Sequence, residues 1–228
     1  MLDRISTGIK GLDELVEGGF PKGSFILLAG SPGSGKTIAS AQYLYHGARK
    51  AKENGVYVSF GERKRVFYSN MKRFGFDFEK LESKGKFKFL DMMTPRNEEI
   101  SVDTLNAALE QILATKAKRL VIDSFSALSL AFNKKIDARI ALHMLEKLTR
   151  EINCTTLLIV EVPTGHSGLG LGFEEFVVDG IILFETIEAR SGIRKRAILR
   201  KMRGTNHNQN YSDIVISDKG LSLMPYVT

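Results

Sequence analysis

Cysteine is nearly absent from this chain: Cys154 is the only one among 228 residues. A lone thiol excludes an intrachain disulfide. Within Asn153-Cys154-Thr155-Thr156-Leu157-Leu158 it reads as a small core hydrophobe on a buried strand rather than a reactive thiol. No apolar run approaches the ~20 residues needed to cross a bilayer. Met1-Leu2-Asp3-Arg4 lacks the basic-then-apolar layout of a signal peptide. These absences set the expectation of a cytoplasmic protein with no membrane partner. Repeats, low-complexity segments and Pro/Gly/Ser-rich linkers are also missing, so one domain over residues 1–228 is expected. His46, His143, His166 and His207 show no metal-ligand spacing, which argues against a transition-metal site.

What is present is an alternation of short apolar strands and amphipathic helices. Strands are predicted over 25–29, 56–60, 87–90, 120–122 and 155–160. Helices are predicted over 36–52, from the second strand to about Phe74, over 103–116 and over 136–152. In the last helix, Ile140, Leu142, Leu145 and Leu148 are expected to face inward. After Asp179 only strands follow: 181–184, 197–202, 213–216 and 221–224. This pattern implies an α/β fold with a mostly parallel central sheet, helices on both faces and antiparallel C-terminal strands.

The sharpest motif is Gly30-Ser31-Pro32-Gly33-Ser34-Gly35-Lys36-Thr37, which fits the phosphate-binding P-loop pattern. Glycines let the backbone turn tightly enough to aim several N–H groups at phosphate oxygens. The following helix adds its positive N-terminal end. Lys36 supplies a full charge for the β and γ phosphates, and Thr37 offers a hydroxyl to Mg²⁺. The expected ligands are therefore ATP and Mg²⁺. An acid should stand near the metal, and Asp123, which closes the run Arg119-Leu120-Val121-Ile122, supplies one. Hydrolysis further needs a group that positions or deprotonates water. Glu62 follows the second strand and is either that group or a solvated acid at a helix start. Glu161 ends the fifth strand, where it would sense the γ-phosphate.

At this point the residues carry a family. Arg4-Ile5-Ser6-Thr7-Gly8-Ile9-Lys10-Gly11-Leu12-Asp13-Glu14-Leu15, leading to Gly18-Gly19-Phe20-Pro21-Lys22-Gly23-Ser24 and the P-loop, resembles the entry to RecA-superfamily ATPases of the KaiC type. Phe74-Gly75-Phe76-Asp77, the stretch Gly172 to Gly180, and Lys201-Met202-Arg203-Gly204-Thr205-Asn206-His207 look like further KaiC signatures. The chain is similar to single-domain KaiC-like proteins of archaea, relatives of the RadA recombinase. The resemblance implies a RecA-like core and ATP hydrolysis. It also implies a homo-oligomer, a ring such as a hexamer or a filament, with nucleotide between subunits. It assigns Gly33, Ser34, Gly35, Lys36 and Thr37 to the phosphates and Mg²⁺. Phe176, Lys201, Met202, Arg203, Thr205, His207 and Asp218 would reach a neighbour's nucleotide, with Lys201 and Arg203 taking part in catalysis. Two adjacent glutamates usually follow the second strand in this family. Here the positions are Gly61 and Glu62, a departure that bears on hydrolysis rate rather than on binding. The clock protein's autophosphorylated domain has Ser and Thr where this chain has Glu175 and Phe176, so no phosphorylation clock is implied.

The net charge of +7 is concentrated in Arg190, Arg194, Lys195, Arg196, Arg200, Lys201 and Arg203, with no acid between the first and last. A hairpin around 188–194 is expected to present them. Lys201 and Arg203 are two apart, so both point to one side, as a phosphate grip requires. Arg194, Lys195 and Arg196 are candidates for DNA or a protein partner. The Gly-rich loop 163–172 has no Arg or Lys and no aromatic before Phe173, which makes it a poor platform for stacking bases. Three readings follow: a slow regulatory ATPase working as an oligomer, an ATP-dependent assembly module without turnover, and a recombinase-like DNA-binding accessory ATPase.

Overall fold

The computed structural model describes residues 2–92, 102–163, 168–189 and 192–226, with backbone alone for 102–106. Two short strands, β1 (Arg4–Ile5) and β2 (Phe20–Pro21), pair antiparallel on either side of helix α1 (Leu12–Leu15). The main sheet has nine strands: β3 (Phe25–Gly30), β4 (Gly55–Ser59), β5 (Phe87–Asp91), β6 (Arg119–Asp123), β7 (Thr155–Glu161), β8 (Gly180–Ala189), β9 (Gly192–Met202), β10 (Ser212–Ser217) and β11 (Gly220–Pro225). Their spatial order is β11-β10-β9-β8-β3-β7-β6-β4-β5. From β8 to β5 every neighbouring pair is parallel, and from β8 outward to β11 every pair is antiparallel.

The inner parallel strands are buried on both faces, and their successive side chains enter two separate cores. Ile26, Leu28, Tyr57, Val121, Leu157 and Ile159 enter one core, with Tyr43 and Leu44 of helix α2 (Lys36–His46) above them. Leu27, Val56, Val58, Leu120, Ile122, Leu158 and Val160 enter the other. That second core is covered by α5 (Val102–Ala114), α6 (Phe125–Ser129) and α7 (Lys135–Glu151). The first core is completed by α3 (Lys64–Lys72) and α4 (Phe78–Ser83), where Phe67, Tyr68, Phe78, Phe87 and Phe89 cluster around Tyr57. Polar side chains start two of these helices: Ser124 accepts from Ala127 N at 3.1 Å and Asp77 from Lys80 N at 3.0 Å. One more helical turn, α8 (Glu174–Val177), precedes β8. No helix among the described residues is long and apolar enough to cross a membrane.

Two charged side chains are fully enclosed among the described residues, Arg119 and Glu174. Arg119, at the start of β6, is 1% exposed; it donates to Glu53 Oε2 at 2.6 Å and to Tyr43 O at 2.9 Å. Its guanidinium also lies over the Tyr43 ring, 4.6 Å from the centroid. Where the helix passes over it, α2 continues as a π turn, Gly47–Ala51. Gly47 is required there, since a Cβ would fall 2.2 Å from Arg119 Nε.

The architecture agrees with the sequence expectation, and the differences have physical reasons. The helix predicted over 36–52 is split between α2 and the π turn, whose first residue, Gly47, lies against Arg119. Ile140, expected inward, is exposed, as are Ile136 and Met144 one turn to either side, whereas Leu142 is buried as expected. The hairpin strands β8 and β9 run well past the predicted 181–184 and 197–202, so most of 188–194 is strand. Their extensions are half-exposed and polar, which hides them from an apolar pattern. Arg190 lies outside the described residues, as do residues 164–167 of the Gly-rich loop, His166 among them.

Glu53→Ala would leave the Arg119 guanidinium buried without its carboxylate and should lower the unfolding free energy by about 3 kcal/mol. Lys72→Ala removes an exposed pair with Glu79 and should change it by less than about 0.5 kcal/mol. Urea denaturation of the two variants measures the contrast, and equal effects would show that Arg119 does not depend on Glu53.

Candidate functional site

Glu62, Asp123 and Glu161 lie at or just beyond the C-terminal ends of parallel strands, on the edge from which the P-loop leaves β3. Gly33 and Gly35 take φ values of 74° and 105°, which side chains with a Cβ rarely adopt. The space a Cβ would fill at Gly33 is open among the described residues, so its backbone faces a free concavity. Lys36 begins α2 and folds back over the loop, donating to Gly30 O at 2.7 Å and Ser31 O at 2.9 Å. Burial lowers its ammonium pKa, while the carboxylates of Asp123 and Glu161 oppose that shift. Ser34 is fully buried, and its Oγ has no partner among the described residues. A buried donor of this kind suits an added anion.

Beside the loop, Thr37 Oγ1 donates to Asp123 Oδ2 at 3.4 Å. The Tyr57 hydroxyl donates to the same carboxylate oxygen. Burial pushes the Asp123 carboxyl upward, opposed by the Tyr57 hydroxyl and the charge of Lys36. A desolvated carboxylate next to a threonine hydroxyl is a donor set that fits Mg²⁺, whose remaining ligands would be water and phosphate oxygens.

Thr37, Asp123, Glu62 and Glu161 line one cleft of about 580 Å³. Glu62 is held at its backbone by Ser59, whose Oγ accepts from Glu62 N at 3.0 Å and donates to Glu62 O at 2.8 Å. Its carboxyl is also pushed upward, first by burial and then by Asp123, with the Asn70 amide opposing. Gly61 beside it has no positive φ, and the space its Cβ would take is open among the described residues. Asn70 and Arg73 share the lining of this cleft. Sequence reasoning missed both, as it missed Tyr57, because each reads as an ordinary residue of its helix or strand.

The residues assigned to a neighbour's nucleotide divide into two places. Lys201 donates to Glu175 O at 2.8 Å and Val178 O at 2.7 Å, and Arg203 donates to Asp179 Oδ1 and Phe176 O, both at 3.3 Å. Both cations thus gather at α8, where Phe176 is 71% exposed. Thr205 joins them through a bond from Arg4 at 3.1 Å, and His207 Nδ1 lies 3.3 Å from Thr205 O. Met202 is buried beneath, leaving only its main chain to meet a ligand. This group stands toward the N-terminal edge of the sheet: Gly180, opposite Met202, is level with Ile26, whereas Phe184 is level with Gly30. Four residues of strand separate the two levels by ~13 Å. Asp218 belongs elsewhere. Ile216 and Leu221 on either side of its turn approach the position of a Gly35 Cβ to 3.3 and 3.0 Å, so the strand ends that carry the turn pack on their own chain's P-loop, while Asp218 itself is exposed.

The basic hairpin is less open than its charge suggests. Arg194 is paired with Asp213 at 2.7 Å and lies over the Tyr226 ring; Arg196 is paired with Glu185 at 2.8 Å and lies over the Tyr211 ring. Two of the three residues considered for nucleic acid are therefore engaged within the sheet.

Comparison with known proteins agrees with this fold. A family model described as "ATPase: KaiC" matches residues 5–227. UPF0273 protein MJ1359 of Methanocaldococcus jannaschii is 32% identical, covering 98% of this chain and 97% of its own. Circadian clock protein KaiC3 of Synechocystis is 31% identical over 98% of this chain, which spans 46% of that longer protein. The crystal structure of the KaiC-like protein PH0186 from Pyrococcus horikoshii superposes with a TM-score of 0.87 at 36% identity, covering 99% of this chain and 100% of that one.

Lys36→Ala removes the full positive charge of the loop, and charge-assisted bonds are the strong ones. Tight ATP binding should be lost in calorimetry; unchanged affinity would overturn the P-loop assignment. Asp123→Asn should retain binding of ATP without metal but lose most of the gain in affinity that Mg²⁺ provides, which titration with and without Mg²⁺ measures.

Proposed function

This chain belongs to the KaiC family of ATPases, and we propose that it is an oligomeric regulatory ATPase that hydrolyses ATP slowly at sites shared between subunits. Membership of the family supports ATP binding and an ATPase-type activity in general. The observation that carries the shared-site reading is the separation of the Lys201–Arg203 pair from the P-loop of the same chain. Cations on the opposite edge of the sheet reach a phosphate most directly when it is held by another copy.

In this reading ATP bound with Mg²⁺ supplies the phosphoryl group that is transferred to water. Gly33 to Gly35 aim backbone N–H groups at phosphate oxygens, and Lys36 adds its ammonium. Thr37 and Asp123 hold the metal. Glu62 orients the attacking water and accepts its proton, a role for which a half-buried carboxylate with raised pKa is suited. Arg203 and Lys201 of a neighbour meet the charge that grows on the γ-phosphoryl oxygens, where an added arginine contributes ~10³–10⁵ in rate. Gly61 favours a second reading, assembly driven by ATP without turnover, because one of the family's paired acids is missing. The DNA-accessory reading gains no support from Arg194 and Arg196, which are already paired.

Glu62→Gln should keep ATP binding and lose ~10²–10⁴ in turnover; wild-type rates in that variant would make Glu62 a surface acid. Gly61→Glu, for which there is room, should raise turnover. Arg203→Ala should bind ATP but hydrolyse it poorly. Mixed with inactive Lys36→Ala, it should regain activity, since some interfaces then pair an intact P-loop with an intact Arg203. Labelled protomers establish subunit exchange first. An inactive mixture with proven exchange would overturn the shared site.

A further inference from the structure

We propose that Asn70 is a positioning residue for Glu62: its side-chain amide fixes one carboxylate oxygen and leaves the other to accept from the attacking water. The inference rests on the reading of Glu62 given above and adds a residue to it. Asn70 Nδ2 donates to Glu62 Oε1 at 2.9 Å, and both side chains line the cleft that holds Thr37 and Asp123. Glu62 Oε2 has no partner among the described residues, so the carboxylate is tethered at one oxygen and available at the other.

Three features make this contact a device for orientation. The backbone of Glu62 is already pinned in both directions by the hydroxyl of Ser59. The amide then removes the freedom that remains in the side chain. Asn70 itself rides on a firm element, because its α3 neighbours Phe67 and Met71 are buried in the aromatic core. A side chain held by two independently anchored elements keeps its geometry without help from substrate. The third feature is the choice of a neutral donor. A lysine or arginine here would form an ion pair with Glu62 and draw down its basicity, whereas an amide orients the carboxylate and leaves it a competent acceptor.

The test is steady-state ATP hydrolysis at protein concentrations where turnover per protomer no longer rises. It is accompanied by the affinity for a non-hydrolysable ATP analogue and by thermal unfolding of each variant. Asn70→Ala should lower kcat about tenfold, the scale of one charge-assisted hydrogen bond, with KM and analogue affinity within about twofold. Asn70→Asp has the same size but no donor and a like charge, so it should lose at least as much. In the Glu62→Gln background, Asn70→Ala should cost nothing further, because the group it positions is gone. Wild-type kcat in Asn70→Asp overturns the inference, since a packing role would tolerate that isostere. An equal loss from Asn70→Ala with and without Glu62 also overturns it. Full turnover in Glu62→Gln, or none in the wild type, overturns the underlying reading and this inference with it; loss in Glu62→Gln with no effect at Asn70 removes this inference alone.

Discussion

A parallel sheet covered on both faces has no place for a charge along the middle of its strands. Between Phe25 and Ala29, Val56 and Val58, Leu120 and Ile122, and Leu157 and Val160 every side chain is buried and uncharged. Groups that must be solvated or must meet a ligand are driven to the ends. Because these strands run the same way, their C-terminal ends coincide, and Lys36, Glu62, Asp123 and Glu161 converge from four separate stretches of sequence. The cleft is thus a consequence of strand direction before it is a consequence of any one residue. Its groups still feel the core behind them, which is why burial is the first cause of the shifts at Lys36, Glu62 and Asp123.

Arg119 is the informative exception. It is a charge at the opposite end of β6, fully enclosed, and it is tolerated only because a carboxylate, a carbonyl and an aromatic face meet it together. The accommodation extends into the helix above, where Gly47 and the π turn make room for the guanidinium. At the cleft the compensation is of another kind. Asp123 has a tyrosine hydroxyl, a threonine hydroxyl and a distant ammonium but no direct cationic partner among the described residues. Arg119 is completed within the chain, whereas a bound cation would complete Asp123.

Periodicity and the P-loop made most of the fold legible. The inner strands of the parallel sheet were readable because two-sided burial writes continuous apolar runs into the sequence, and the edge strand β5 by its alternation of buried Phe87 and Phe89 with half-buried Lys88 and Leu90. The P-loop was readable because its chemistry is local. What escaped had no local signature. Ile140 fits a helical apolar stripe but stands outside the packed face, since the stripe on α7 is wider than the surface covering it. The outer half of the β8–β9 hairpin is written in charged residues that cross-strand pairs satisfy, such as Arg196 with Glu185. Asn70 is one polar residue among several on α3, and its meaning comes only from a contact eight positions back along the chain. Sequence spacing did place Lys201 and Arg203 on one side. It could not reveal that Ile216 and Leu221, which flank the turn carrying Asp218, pack on their own chain's P-loop, a matter of how β10 and β11 pack.

The cations of the C-terminal hairpin differ in how firmly they are held, and that difference bears on function. Arg194 meets Asp213 through two bonds of 2.7 and 2.9 Å and lies against an aromatic ring. Arg203 meets Asp179 and a carbonyl only at 3.3 Å, and it shares Asp179 with Arg150. Lys201 has two carbonyl partners for three ammonium hydrogens. Its pKa is lowered by burial and by the neighbouring charge of Arg203. Two like charges side by side, loosely compensated, beside an exposed phenylalanine, form an arrangement that an added anion would relieve. The tightly paired arginines offer no such gain, since recruiting them means breaking good ion pairs. Electrostatics therefore favours the Lys201–Arg203 end of the hairpin over its basic middle as the place where, in the proposed shared site, a phosphate held by another subunit would be met.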